Sequence, residues 1–349
     1  MAAAGHDGEA SQNFWGETPA TEEEYYASQG IQSTKSFFTT PRPRGAVLFT
    51  RSWMPLPRPD SLPPRAVLFM IHGYGNDISW TFQSTPIFLA RAGFACFALD
   101  LPGHGRSTGL RAFVPDLSVV TDDCIAFFRS VITARPALRR IPKFLYGESM
   151  GGALCLLIHL RLKDIYMDEN IWSGAVLVAP MCKISDELLP FWPIPEILTL
   201  IVRFVPTLPV VPIEDLLVKS VKVEEKRAIA LKNPMRYLGK PRLGTVGELL
   251  RATIELSRRL KEVSLPFLVL HGSDDVVTDP AVSRELYETA RSEDKSIKIY
   301  DGVWHSLQFG ETEENVDLFR RDLLDWLNQR CRGAAAVASS SSSFWPTTI

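Results

Sequence analysis

Short, mostly unbroken apolar runs recur along the chain, and no other feature narrows its fold so far. They are Ala46–Thr50, Ala66–Ile71, Ala95–Leu99, Phe144–Tyr146, Ala175–Ala179, Phe267–Leu270 and Ile297–Tyr300. Runs of Val, Leu, Ile and Phe suit strands of a parallel sheet, which is buried on both faces. Helical stretches fall between them, at Asp116–Ala134, Met150–Leu162, Ala281–Arg291 and Glu314–Gln329. The last places Val316, Phe319, Leu323, Trp326 and Leu327 at helical spacing. This alternation predicts an α/β fold, a mostly parallel central sheet flanked by helices.

The rhythm stops between Lys183 and Val263, where proline-punctuated apolar stretches give way to charged helical ones, Val223–Leu231 and Val246–Leu260. With 349 residues, 46% of them hydrophobic, the chain has material for one large core. The expected organisation is therefore one core in two parts, 13–182 and 264–332. A helical cap inserted at 183–263 lies over the carboxyl edge of the sheet. Residues 1–12 are small and polar and 333–349 are Ala/Ser-rich, ending in Phe344–Trp345–Pro346, and both are expected to be disordered tails.

Composition excludes several functions. A formal charge of −2 offers neither a nucleic-acid footprint nor a polybasic membrane patch. The five cysteines are odd in number and lack metal-ligand spacing, which fits reduced thiols in a cytoplasmic protein. Met1–Phe14 lacks the apolar core of an export signal. The most apolar stretch, Ile194–Ile213, is interrupted by Pro195, Glu196, Arg203, Pro206, Pro209 and Pro212, so no transmembrane segment is expected.

The chemistry centres on Gly147–Glu148–Ser149–Met150–Gly151–Gly152, between the run Phe144–Tyr146 and the helical Ala153–Leu162. A G-x-S-x-G pattern at a strand-to-helix turn has a mechanical meaning. The serine backbone is strained, and glycines let neighbouring backbone approach, which lifts Oγ into a cleft. A serine hydroxyl needs a base, and the base an orienting carboxylate. Hydrolases built on such an elbow run nucleophile, acid, base along the chain. His6, His72 and His104 precede Ser149, His159 lies within the following helix, and His271 precedes the acids, which leaves His305. Three aspartates compete for the acid. Asp279 stands before a proline and a helix, the place of an N-cap. Asp274 suits a turn, and Asp275 is the third, so the residue types alone leave Asp274 and Asp275 open. The oxyanion requires two N–H donors, Met150 after the nucleophile and, by position, Tyr74 in His72–Gly73–Tyr74–Gly75. No cofactor and no metal are implied. Gly103–His104–Gly105–Arg106–Ser107 reads as a tight structural loop beside the site. The His72…Asp77 spacing matches an acyltransferase pattern, but His72 belongs to the oxyanion loop.

Together these motifs resemble the monoacylglycerol lipase family of α/β-hydrolases. Asn13–Phe14–Trp15–Gly16, Glu23–Glu24–Tyr25–Tyr26, Asn233–Pro234–Met235–Arg236–Tyr237 and Gly239–Lys240–Pro241–Arg242 resemble its plant branch of monoacylglycerol lipases, lysophospholipase-like proteins and caffeoylshikimate esterase. The resemblance runs from about Asn13 to Arg330 and is weakest over Ile184–Val221. It implies an α/β-hydrolase fold with Ser149 as nucleophile, Asp275 as acid, His305 as base, and Tyr74 and Met150 as oxyanion donors. The implied activity is hydrolysis of a monoacylglycerol, with caffeoylshikimate or a lysophospholipid as alternative substrates. Acyl transfer and ligand binding without turnover are readings from other classes. The cap carries more apolar residues than its own packing needs, among them Phe191, Trp192, Phe204, Val205 and Leu208. That excess suits an acyl chain or peripheral contact with a lipid surface.

Overall fold

The computed structural model describes residues 13–16, 21–43, 45–57, 63–166, 171–182, 204–209 and 215–341. Its centre is an eight-stranded sheet in the order β1-β2-β4-β3-β5-β6-β7-β8. The strands are β1 (Ile31–Thr39), β2 (Val47–Pro55), β3 (Val67–Ile71), β4 (Ala95–Leu99), β5 (Lys143–Glu148), β6 (Gly174–Val178), β7 (Phe267–Gly272) and β8 (Lys295–Tyr300). β2 runs antiparallel to both β1 and β4, and every other pair is parallel. In β3, β4 and β6 every residue is buried, as unbroken apolar runs require.

β1 is absent from the sequence reading. It is an edge strand in which only Ile31 is buried, so it carries no apolar run to announce it. β2 extends beyond Thr50 through two buried polar residues, Arg51 and Ser52. Arg51 donates through Nε to Ser33 Oγ at 2.8 Å and through one terminal nitrogen to Glu22 Oε2 at 2.6 Å.

Helices cover both faces. On one side α3 (Leu117–Ala134), α4 (Met150–Tyr166) and α8 (Pro280–Thr289) enclose a core with Phe69, Phe128 and Leu286 at its heart. The Phe69 and Phe128 rings lie 4.6 Å apart, and truncating such a ring to alanine costs about 3–5 kcal/mol. On the other side α2 (Ser84–Arg91) and α9 (Glu313–Ser341) close over Phe144, Tyr146 and Trp53. α9 runs past the predicted end at Gln329 and continues to Ser341. The alanine-rich Gly333–Ala334–Ala335–Ala336 stretch explains the difference, because alanine propagates a helix better than any other residue. Residues 1–12 and 342–349 lie outside the described residues.

At the amino end, α1 (Glu22–Ser28) begins in a capping box between Thr21 and Glu24. Trp15 stacks on Tyr25 at 4.0 Å.

The described part of the insertion contributes α5 (Leu216–Ser220), α6 (Glu224–Leu231) and α7 (Leu243–Arg259). α7 belongs to the core packing. Its Ala252 and Leu256 join the cluster beneath α3 and α4, and Glu248 Oε1 accepts the N–H of Leu117 at 2.7 Å. Much of the apolar stretch invoked for an acyl chain, Phe191 and Trp192 included, lies outside the described residues.

Candidate active site

β3 leads to β4 on one side while β5 lies on its other side, so the carboxyl ends of β3 and β5 frame a crevice where the strand order reverses. Pairing of Ile71 with Gly147 sets the loop His72–Gly73–Tyr74 beside Ser149. Ser149 occupies the left-handed region at φ 53°, a conformation that costs a non-glycine residue about 1–3 kcal/mol. The turn is locked on both sides. Ser149 N–H donates to Val178 O at 2.9 Å, and its carbonyl accepts from Gly152 at 2.9 Å and Met181 at 3.0 Å. A Cβ at Gly147 would stand 2.2 Å from Gly151 O, and one at Gly151 2.2 Å from Ile71 O. Glycine is required at both by close backbone approach.

Pairing of Gly272 with Tyr300 brings the loops after β7 and β8 together. Asp275 Oδ2 lies 2.6 Å from His305 Nδ1. Its other oxygen accepts the N–H groups of Val277 at 2.7 Å and Thr278 at 3.0 Å. Thr278 Oγ1 and His271 Nε2 also reach Oδ2, at 2.9 Å and 3.1 Å. Burial alone raises the Asp275 pKa, but the charge on His305 and the hydrogen bonds from His271 and His305 outweigh it and hold the carboxyl well below the usual range. With Nδ1 held as a donor to this carboxylate, the His305 ring keeps Nε2 as its basic nitrogen. The two other aspartates are engaged elsewhere. Asp274 is exposed and accepts from Ser273 Oγ at 2.8 Å. Asp279 caps α8 through Ala281 N–H at 2.8 Å.

Met150 opens α4, so its N–H has no intrahelical acceptor. Tyr74 is anchored by its hydroxyl, which donates to Ala112 O at 3.1 Å. Ahead of it, a Cβ on Gly73 would stand 3.3 Å from Ser149 Cβ. His72 is structural. Its Nδ1 donates to Gly73 O at 2.7 Å, its Nε2 accepts from Leu101 N–H at 3.0 Å, and burial pushes its pKa down to about 4. Asp77 accepts instead from Ser79 N–H at 2.6 Å and Asn233 Nδ2 at 2.6 Å, so the acyltransferase spacing forms no pair.

A cavity of about 320 Å³ lies between core and insertion, with Tyr74, Ser149 and His305 on its core side and Leu216, Ala230 and Tyr237 on the insertion side. The insertion is fastened to loops of the core. Trp80 Nε1 donates to Ile229 O at 2.8 Å, Arg111 to Met235 O at 2.6 Å, and Ser306 N–H to Ser220 O at 3.0 Å.

Sequence reasoning missed the groups behind the triad positions. Thr278 Oγ1 lies 3.2 Å from His305 Nδ1 and 3.1 Å from Ala179 O. His271 is oriented by Ser283 Oγ, 2.7 Å from its Nδ1. Glu148 and Gln308 meet on the cavity wall at 2.7 Å, and burial pushes Glu148 up to about 8. Only the closeness of His271 and Thr278 to Asp275 in the chain hinted at their part.

The family model described as serine aminopeptidase, S33, matches residues 62–313. Caffeoylshikimate esterase of Arabidopsis thaliana is 38% identical over 320 residues, covering 92% of each chain. Monoglyceride lipase of Homo sapiens is 29% identical over 298 residues, covering 84% of this chain and 91% of its own. A soluble variant of monoglyceride lipase from Saccharomyces cerevisiae, solved with a substrate analog, superposes with a TM-score of 0.70 at 23% identity. It covers 84% of this chain and 94% of its own, a likeness of fold.

Proposed function

The chain belongs to this serine aminopeptidase S33 family of α/β-hydrolases, and on that premise we propose that it is a serine carboxylic-ester hydrolase cleaving a monoester through an acyl-enzyme. His305 Nε2 takes the Ser149 proton as Oγ attacks the carbonyl carbon. The N–H groups of Tyr74 and Met150 receive the negative oxygen, and Asp275 stabilises the imidazolium. His305 then protonates the departing alcohol, and water repeats the sequence to release the acid. The observation that carries this reading is the Asp275–His305 contact at 2.6 Å on a ring that shares one cavity with the strained Ser149.

Monoacylglycerols are the leading substrate class. Several apolar side chains of the insertion face outward, Phe204 and Leu238 each 79% exposed, and would rest on a lipid surface while the soluble body stays outside it. Among the described residues no helix is long and apolar enough to cross a membrane, and the five cysteines are free, as in a reducing cytoplasm. Caffeoylshikimate is the second reading, favoured by the 38% identical relative and by a cavity wall rich in polar groups such as Asn233, Arg236 and Lys240. Turnover of long-chain monoacylglycerol, lysophospholipid and caffeoylshikimate by one preparation tests the choice. Fast cleavage of the monoacylglycerol is expected. Indifference to it with efficient cleavage of caffeoylshikimate would overturn the leading class and leave the mechanism standing.

A further inference from the structure

The segment from Asn233 to Pro241 forms one wall of the cavity, and its charges do not balance. Arg236 spends one terminal nitrogen on both oxygens of Asp215, at 2.9 Å and 2.8 Å, while its Nε is a buried donor without an acceptor. Glu148, the other acid on the cavity wall, is pushed up to about 8 by burial and adds little negative charge near neutrality. Lys240 lies exposed at the rim, and among the described residues its ammonium has no ion pair and no hydrogen bond. Among the described residues, this wall thus carries one positive charge without a partner, that of Lys240.

That charge is presented by a stiffened loop. Tyr237 OH donates to Lys240 O at 2.9 Å, and a Cβ on Gly239 would stand 2.5 Å from the same hydroxyl, so the tyrosine folds tightly over the turn. Asn233 pins the start of the segment to Asp77 at 2.6 Å and accepts from Met235 N–H at 2.9 Å. Holding the loop in place beforehand lowers the ordering cost of a ligand contact.

Resting on the ester-hydrolase reading, we propose that this wall is an anion subsite for the alcohol half of the substrate. Lys240 Nζ, backed by Arg236, binds a carboxylate or phosphate group carried by the alcohol. Such a group has no counterpart in a glycerol monoester. Esters of acidic alcohols therefore bind more tightly than neutral esters with the same acyl group.

The test is equilibrium titration of Ser149→Ala protein, in which ligand binds without turnover. Caffeoylshikimate is compared with methyl caffeate, and 1-butyrylglycerol 3-phosphate with monobutyrin. The acidic member of at least one pair binds more tightly, and which pair does so identifies carboxylate or phosphate as the source. Adding Lys240→Met weakens that ligand about three- to fivefold, as expected for an exposed charge pair, with the neutral ligands unchanged. Lys240→Arg restores most of the loss, and raising the salt mimics it. Equal binding within both pairs, or equal losses for acidic and neutral ligands, would overturn the subsite. Turnover by the unsubstituted protein tests the hydrolase reading separately.

Discussion

Replacing Asp275 by asparagine should disable the enzyme while leaving its fold in place. The substitution keeps volume and an acceptor, so the amide oxygen still receives the N–H groups of Val277 and Thr278, now 2.7 Å and 3.0 Å from Oδ1. The amide nitrogen falls where Oδ2 stood, 2.6 Å from His305 Nδ1 and 3.1 Å from His271 Nε2. Two donors cannot face each other at that distance, so His305 takes the tautomer with Nδ1 bare and Nε2 protonated. That ring cannot accept the Ser149 proton. A wrong tautomer with intact geometry lowers kcat about 10⁴-fold in the serine-protease precedent, equivalent to about 5 kcal/mol. The assay is steady-state hydrolysis of p-nitrophenyl butyrate, with circular dichroism to verify folding. Asp274→Asn serves as the control, since that side chain is exposed and bound to Ser273, and should change kcat/KM less than twofold. Asp275→Asn activity within tenfold of the parent, or an equal collapse in Asp274→Asn, would refute the assignment.

Thr278→Val removes a hydroxyl 2.9 Å from Asp275 Oδ2 and 3.2 Å from His305 Nδ1 without changing the volume. Loss of one buried hydrogen bond to a charged group should lower kcat/KM about tenfold, and unaltered kinetics would remove Thr278 from the network. Glu148 gives a pH signature. Its pKa rises from 4.5 to about 8 on folding, so the unfolded chain loses the proton first as pH increases. The stabilisation is full below about 4.5 and is lost as pH rises through about 8, by a few kcal/mol. Glu148→Gln should flatten that slope in urea titrations, and an unchanged slope would contradict the burial argument.

What the sequence disclosed follows from where free energy is local. Val67–Ile71 and Gly174–Val178 are unbroken apolar strands because they are buried on both faces, and that pattern is legible without a structure. Ile31–Thr39 is not, because an edge strand with one buried residue derives its order from pairing with Val47–Pro55. The elbow at Ser149 was legible because steric need selects glycine around it. The choice among three aspartates was not. It depends on which carboxylate the β7–β8 register carries to His305, and the residue types alone left Asp274 and Asp275 open. Asp77 and Asn233 meet across 156 positions, and no local pattern foretells a bond of that span.

The account stands on Ser149 being a nucleophile activated by His305, and labelling with a fluorophosphonate followed by peptide mapping tests this most directly. It predicts a single adduct on the peptide bearing Ser149, absent from Ser149→Ala protein and formed at least a hundredfold more slowly in His305→Ala protein. An adduct on another residue, or one formed on Ser149 at the parent rate without the imidazole, would contradict it.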